Sequence, residues 1–386
     1  MDTIYLDHAA ATPLDSRVAE AMRPYFADKF YNPSALYGPA RQVHADIEAA
    51  RASTAGIFGA RPAEIVFTAG GTEANNLAIC GVMDALAAEY PDARLLLSAI
   101  EHDSVLKTGQ QYAHDVIPVS EQGIVTAEGL HALVDDRTVL VSVMYANNEV
   151  GSIQPIRELG QLLQSVRQDR LKRGVARPLY FHTDAAQAAN YLDLQVHRLG
   201  VDLLTLNGGK IYGPKQSGAL YVRAGIVLQP FIRGGGQELG LRSGTENVPA
   251  IIGLAAALRQ AQSMRAAETK RLGELQGYFF DQLAARLPQV VVNGPRKRRL
   301  PNNLHITVPG ADNERLLYQL DARGILAAAG SACSASRDTP SHVLRAMGIG
   351  DAAANASLRF SMGRPTTKAD IDRLLDTLAG LVQNNQ

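Results

Sequence analysis

Short apolar runs closed by glycine-rich or polar turns recur along the first two thirds of the chain, and longer amphipathic stretches separate them. The runs predict strands over residues 64–68, 94–99, 116–119, 138–144, 179–183, 203–206 and 219–222. The stretches between them predict helices, such as 73–88 and 156–173. Strand–helix alternation of this kind predicts an α/β fold with a mainly parallel sheet covered on both faces. Residues 229–236, rich in glycine, break the pattern. A long helical stretch follows over 249–287, then strand-like 303–308, helix-like 313–320, strand-like 357–360 and helical 370–382. This predicts a second, smaller α+β domain. The expected division is 14–260 for the large domain, with 1–13 and 261–386 forming the small one.

Composition narrows the setting. With 386 residues the chain can bury more than one core, and 38 basic residues balance 38 acidic ones. Zero formal charge gives no support for a nucleic-acid or membrane partner found through bulk electrostatics. The N-terminus, Met1-Asp2-Thr3-Ile4-Tyr5-Leu6-Asp7, lacks a basic region followed by a long apolar one, so neither a signal peptide nor a membrane span is expected. Two cysteines, Cys80 and Cys333, make no disulfide framework and suit a reducing, cytoplasmic compartment. Metal-type cysteine spacing is absent, and no metal site is expected.

The chemistry gathers where the expected strands end. Lys210 follows the run 203–206 and the pair Gly208-Gly209. An amine at a strand's carboxyl end stands where open α/β sheets bind ligands, and a desolvated lysine can form a Schiff base. Upstream, Asp184 in His182-Thr183-Asp184-Ala185-Ala186-Gln187 ends another run. A lysine and an acid at neighbouring strand ends are the pair that pyridoxal phosphate (PLP) needs, one for its aldehyde and one for its pyridine nitrogen. Gly70-Gly71-Thr72 opens a helix after a strand, where free amides favour a phosphate. His102 can stack on a flat ring, shuttle a proton, or simply belong to a helix cap. Asn147-Asn148 can donate to a phenolate or form a turn. Cys333 lies among small polar residues, Ala329-Gly330-Ser331-Ala332-Cys333-Ser334, a composition that suits an exposed nucleophilic thiol. Cys80, in Leu77-Ala78-Ile79-Cys80, reads as structural on a buried helix face. Arg359 interrupts a strand-like run and suits a two-pronged grip on a carboxylate, or an ion pair.

Together these segments resemble the cysteine desulfurases of the class V aminotransferase group, over nearly the whole chain from Tyr5-Leu6-Asp7-His8-Ala9-Ala10 to about Arg364. The most specific pieces are Asn147-Asn148-Glu149-Val150-Gly151, the Asp184 segment, Lys210-Ile211-Tyr212-Gly213-Pro214-Lys215, Arg242-Ser243-Gly244-Thr245 and Gly330-Ser331-Ala332-Cys333. The last resembles the long-loop subgroup that serves iron–sulfur assembly and tRNA thiolation. The resemblance implies PLP fold type I, a homodimer with shared active sites, L-cysteine as substrate and a sulfur-acceptor protein as partner. It implies Lys210 on the PLP aldehyde, Asp184 on the pyridine nitrogen and His102 over the ring. Gln187 and Asn148 would contact the phenolic oxygen. Gly71 and Thr72 would hold the phosphate, with Thr245 from a second subunit. Asn32 and Arg359 would bind the substrate carboxylate, and Cys333 would take the sulfur.

The chain departs from that pattern just before Lys210. The family usually places serine and histidine there, both of which help bind the phosphate. Here the positions hold Asn207 and Gly209. Asn207 can still donate through its amide, so a rebuilt phosphate cup with weaker non-covalent retention of PLP is expected. The chain also stops soon after the 370–382 helical stretch, where long-loop relatives often carry a docking tail. A selenocysteine lyase or aminotransferase on the same fold, and a non-catalytic scaffold, are the competing readings.

Overall fold

A computed structural model describes residues 3–330 and 340–383. Eight strands come first: β1 (Ile4–Tyr5), β2 (Ile65–Thr68), β3 (Arg94–Ser98), β4 (His114–Ile117), β5 (Thr138–Ser142), β6 (Tyr180–Asp184), β7 (Leu203–Asn207) and β8 (Gly218–Val222). The last seven form one sheet in the order β2-β8-β7-β6-β5-β3-β4. β8 runs antiparallel to both neighbours, and the other pairs are parallel. Helices cover both faces, so the central strands are buried end to end, as β5 and β8 show. This is the α/β arrangement of PLP fold type I.

Every other strand of the large sheet keeps at least one end within a residue of its expected place. β4 is shifted as a whole: it begins at His114 and stops at Ile117, two residues before the expected run at both ends. Pro118 has no N–H to extend the ladder, and an edge strand tolerates the polar His114 and Asp115.

Four strands follow: β9 (Val291–Val292), β10 (Asn303–Thr307), β11 (Ile325–Leu326) and β12 (Ser357–Ser361). β9, β10 and β12 form an antiparallel sheet, and β1 pairs in parallel with β11. Val248–Arg286, a helix of 39 residues, joins the two packing systems. Its first half, through Ala261, packs into the core of the seven-stranded sheet. Its second half, with Leu272, Phe279, Phe280 and Leu283, packs with Ile4, Leu6, Leu304, Leu358 and the Lys368–Gln383 helix.

Among the described residues no helix is long and apolar enough to cross a membrane. Cys80 is half-buried rather than fully buried, because it lies at the border of the apolar stripe of helix Gly71–Leu86. Burial lifts its thiol above the ordinary value. Cys333 lies outside the described residues.

Candidate active site

The carboxyl ends of β2, β3, β5, β6 and β7 converge on one hollow. β7 runs into a short turn of helix, Gly208–Lys210, which carries Lys210 out of the sheet. The turn requires glycine at 208, since a Cβ there would lie 2.1 Å from Ser217 Oγ. Beyond Lys210 the backbone of Tyr212 adopts φ +62°, unusual for a bulky residue. Its surroundings hold it there: its N–H donates to Thr12 Oγ1 at 2.7 Å, and its hydroxyl accepts from the Arg364 N–H at 2.8 Å. Lys210 Nζ donates to the carbonyl of Ala10, so the N-terminal segment closes over the amine.

The hollow has two halves. The tighter, of about 80 Å³, is lined by His102, Asn148, Asp184, Gln187, Lys210 and Arg359, among others. The wider, of about 610 Å³, is lined by Gly70, Glu73, Gly209, Lys215 and Phe231, among others. Gly71, Thr72, Asn207 and Lys210 border both.

Asp184 ends β6 and is held on two sides. Its Oδ2 accepts from Asn75 Nδ2 at 2.8 Å, and its Oδ1 accepts from the Ala186 N–H at 2.9 Å. Asn75 also donates to Ser104 Oγ at 2.9 Å. Behind this pair lies Glu101, fully buried, with Oε1 accepting from the Met144 N–H and no partner on Oε2 among the described residues. Burial, and then the nearby Asp184 charge, push its carboxyl well above the usual carboxylate range. On β6 itself, His182 bridges Ser142 Oγ and Thr205 Oγ1, and burial holds its imidazole down to about 4.

His102 does two jobs. It caps helix Asp103–Gly109, its Nδ1 accepting from the Ser104 N–H at 3.1 Å, and its ring still lines the tighter half. That acceptor role puts the ring proton on Nε2. The two asparagines divide the expected roles. Asn147 forms the turn, its Oδ1 accepting from the N–H groups of Glu149 and Val150, while Asn148 faces the hollow. Gln187 Nε2 donates to the carbonyl of Ala9 at 3.0 Å.

Arg359 arrives from the other sheet, on β12, and is 1% exposed. Its Nη2 donates to Asp7 Oδ1 at 2.7 Å and its Nη1 to the Asn148 carbonyl at 3.1 Å. Of the two expected alternatives, the ion pair is therefore present, but buried at the wall of the hollow. The Nε–H has no partner among the described residues.

At the other end, helix Gly71–Leu86 begins on the border between the two halves. The first amides of a helix lack carbonyl partners within it. Asn207 stands against this helix start: a Cβ at Gly71 would meet its Nδ2 at 3.3 Å, and its Oδ1 accepts from the Gly209 N–H at 3.0 Å.

Two expected site residues are not in the hollow. Asn32 is exposed, with Oδ1 accepting from the Ser34 N–H, and Thr245 is exposed on the loop before Val248–Arg286. Three residues at the site had no role in the sequence reading. Asn75 was readable as a polar residue on the buried face shared with Ala74, Leu77 and Ala78. Glu101 and Asp7 sit inside the motifs around His102 and Tyr5, and act by holding neighbours.

The donor set fits PLP on the geometry alone: a lysine amine, a fixed carboxylate, an imidazole face and a helix start arranged along one elongated hollow. Among the described residues no group of three or more His, Cys, Asp or Glu could hold a metal ion.

Known proteins agree with this geometry. The family model described as aminotransferase class-V matches residues 4–374. A cysteine desulfurase IscS of Dictyoglomus turgidum is 41% identical over 98% of this chain and 94% of its own length. Among solved structures, a NifS-like protein superposes with a TM-score of 0.90 at 30% identity, covering 99% of this chain and 100% of that one. A structure described as SspA in complex with cysteine reaches a TM-score of 0.78 at 34% identity, covering 93% and 99%. The strand order, the lysine and carboxylate at adjoining strand ends and the full-length matches lead to one assignment: this chain belongs to the class-V aminotransferase family, among its cysteine desulfurases.

Proposed function

We propose that Lys210 and Cys333 carry out cysteine desulfuration in this chain, with PLP as resident cofactor. The protein is a cysteine desulfurase, taking sulfur from L-cysteine and releasing L-alanine. The observation that supports the site assignment is the convergence of Lys210, Asp184 and Arg359 on one hollow.

When bound, PLP supplies an electron sink at the substrate's α-carbon. Lys210 Nζ would hold its aldehyde, and its free amine would take the α-proton of the substrate. Asp184 would hold a proton on the pyridine nitrogen. His102 would support the ring, and Asn148 and Gln187 would hold the phenolic oxygen. Gly71, Thr72 and Asn207 would hold the phosphate. Arg359 takes the substrate carboxylate with the N–H donors that Asp7 and Asn148 leave open, helped by Asn32. The Cys333 thiolate attacks the substrate sulfur. A sulfur–sulfur bond forms as the carbon–sulfur bond breaks, and the electron pair returns to carbon, which is protonated to alanine. The persulfide then passes to a sulfur-acceptor protein of iron–sulfur assembly or tRNA thiolation.

A homodimer completes the site. Phe30, Leu36 and Tyr37 are 68%, 87% and 53% exposed, and Phe30 and Tyr37 both make ring contacts with Tyr31, beside Asn32. An apolar surface of this kind suits a second copy. Its cover would bring Asn32 toward substrate and carry Thr245 to the partner's phosphate. The cytoplasm suits a reactive free thiol.

Two variants test the assignment. Cys333→Ser abolishes sulfur release from L-cysteine while the yellow cofactor still binds. Lys210→Ala loses both covalent attachment of the cofactor and turnover. Undiminished turnover in either variant contradicts the assigned role.

A further inference from the structure

We propose that Lys215 supplies the cation for the cofactor's phosphate, in the space left by glycine at position 209. The inference rests on the PLP reading above.

A phosphate dianion is held best by donors that include a positive charge. Around the helix start at Gly71, Asn207 offers a neutral amide, and its oxygen is already taken by the Gly209 N–H. Lys210 is committed to the aldehyde. Arg242 is turned to Glu73, its Nε donating to Oε1 at 3.1 Å, while Glu73 Oε2 accepts from the Ala69 N–H. Lys215 is the remaining cation on the wall of the wider half among the described residues.

Its geometry suits the task. A Cβ built on Gly209 meets Lys215 Cδ at 3.4 Å and Asn207 Oδ1 at 3.4 Å. The lysine stem thus lies over the place that a side chain at 209 would occupy, on the side of the cup where Asn207 stands. The backbone around it is fixed: Ser217 Oγ donates to the Pro214 carbonyl at 2.7 Å, and Gln216 adopts φ +56°. The side chain is exposed, and its ammonium donates to the Thr12 carbonyl, a neutral acceptor. A phosphate dianion is a stronger acceptor than that carbonyl, and a four-carbon stem can turn from one to the other.

The test compares PLP with pyridoxal, which lacks the phosphate, in absorbance titrations of the cofactor-stripped full-length protein. Lys215→Gln weakens PLP binding by about tenfold or more and leaves pyridoxal within about twofold. Lys215→Arg retains PLP. Gly209→His added to Lys215→Gln recovers PLP binding, since a Cβ at 209 meets its neighbours at ordinary contact distance. Equal weakening of both vitamers, or no weakening of either, overturns the role of Lys215. Should Lys215→Gln unfold, loss of PLP binding by the folded Lys215→Arg protein overturns it instead. Failure of the unaltered protein to take up either vitamer removes the PLP reading itself.

Discussion

The two ends of the hollow are built on different principles. At the ring end, hydrogen bonds hold each side chain: Asn75 and the Ala186 N–H fix Asp184, the Ser104 N–H fixes His102, and Asp7 fixes Arg359. At the phosphate end, a helix start, a glycine and an amide border a wider space. Charge that develops during reaction needs a partner at a set place and angle. A phosphate that stays put through the reaction can be met by many donor sets. The resemblance implies the usual residues at the first end, while at the second it implies Gly71 and Thr72 kept and a departure at Asn207 and Gly209.

That contrast can be broken by mutation. Asp184→Ala is expected to lower kcat by at least about a hundredfold while PLP still attaches to Lys210; a loss under tenfold contradicts the ring-end account. Asn75→Ala, which removes a holder of Asp184 and its bond to Ser104, should cost about tenfold in kcat with PLP affinity retained. An unchanged kcat would mean that Asp184 needs no holder. Thr72→Ala should raise the PLP dissociation constant several-fold and leave kcat at saturating PLP nearly unchanged. A matching fall in kcat would erase the distinction between the two ends.

The smallest expected effect concerns stability. His182 and His305 are fully buried, and burial lowers them to about 4 and about 3. Their ordinary value is 6.5, so below it the unfolded chain takes up protons that the folded chain refuses. Stability therefore falls as pH drops from about 6.5 toward 4. Denaturant midpoints across that range should show the slope, and His305→Asn should flatten it. An identical slope in the variant would show that His305 does not contribute.

The same contrast explains what the sequence revealed. Central strands were legible because both faces are covered, which writes them as unbroken apolar runs such as Leu95–Leu97 within β3. β4 slipped because an edge strand keeps polar residues. Helix Gly38–Phe58 was hard to read because its buried face mixes Ala40, Val43, Ile47, Arg51, Thr54 and Phe58, so no clean apolar stripe stands out. Lys210, Asp184 and His102 were legible as polar residues at or just past strand ends. The tasks of Asn75, Glu101 and Asp7 were not, although Asn75 stood out as a polar residue on a buried face, since their work is to hold other residues, and that depends on contacts far apart in the chain. The departure of Asn207 and Gly209 from the pattern the chain resembles was legible, but not the Lys215 stem beside Gly209.

The most direct measurement is mass spectrometry of the intact protein and its peptides after brief exposure to L-cysteine. The account predicts one additional sulfur atom on the Cys333 peptide, with an equal amount of alanine released, and neither product from the Lys210→Ala protein. Alanine without sulfur on Cys333, or sulfur on Cys333 in the protein lacking Lys210, would contradict it.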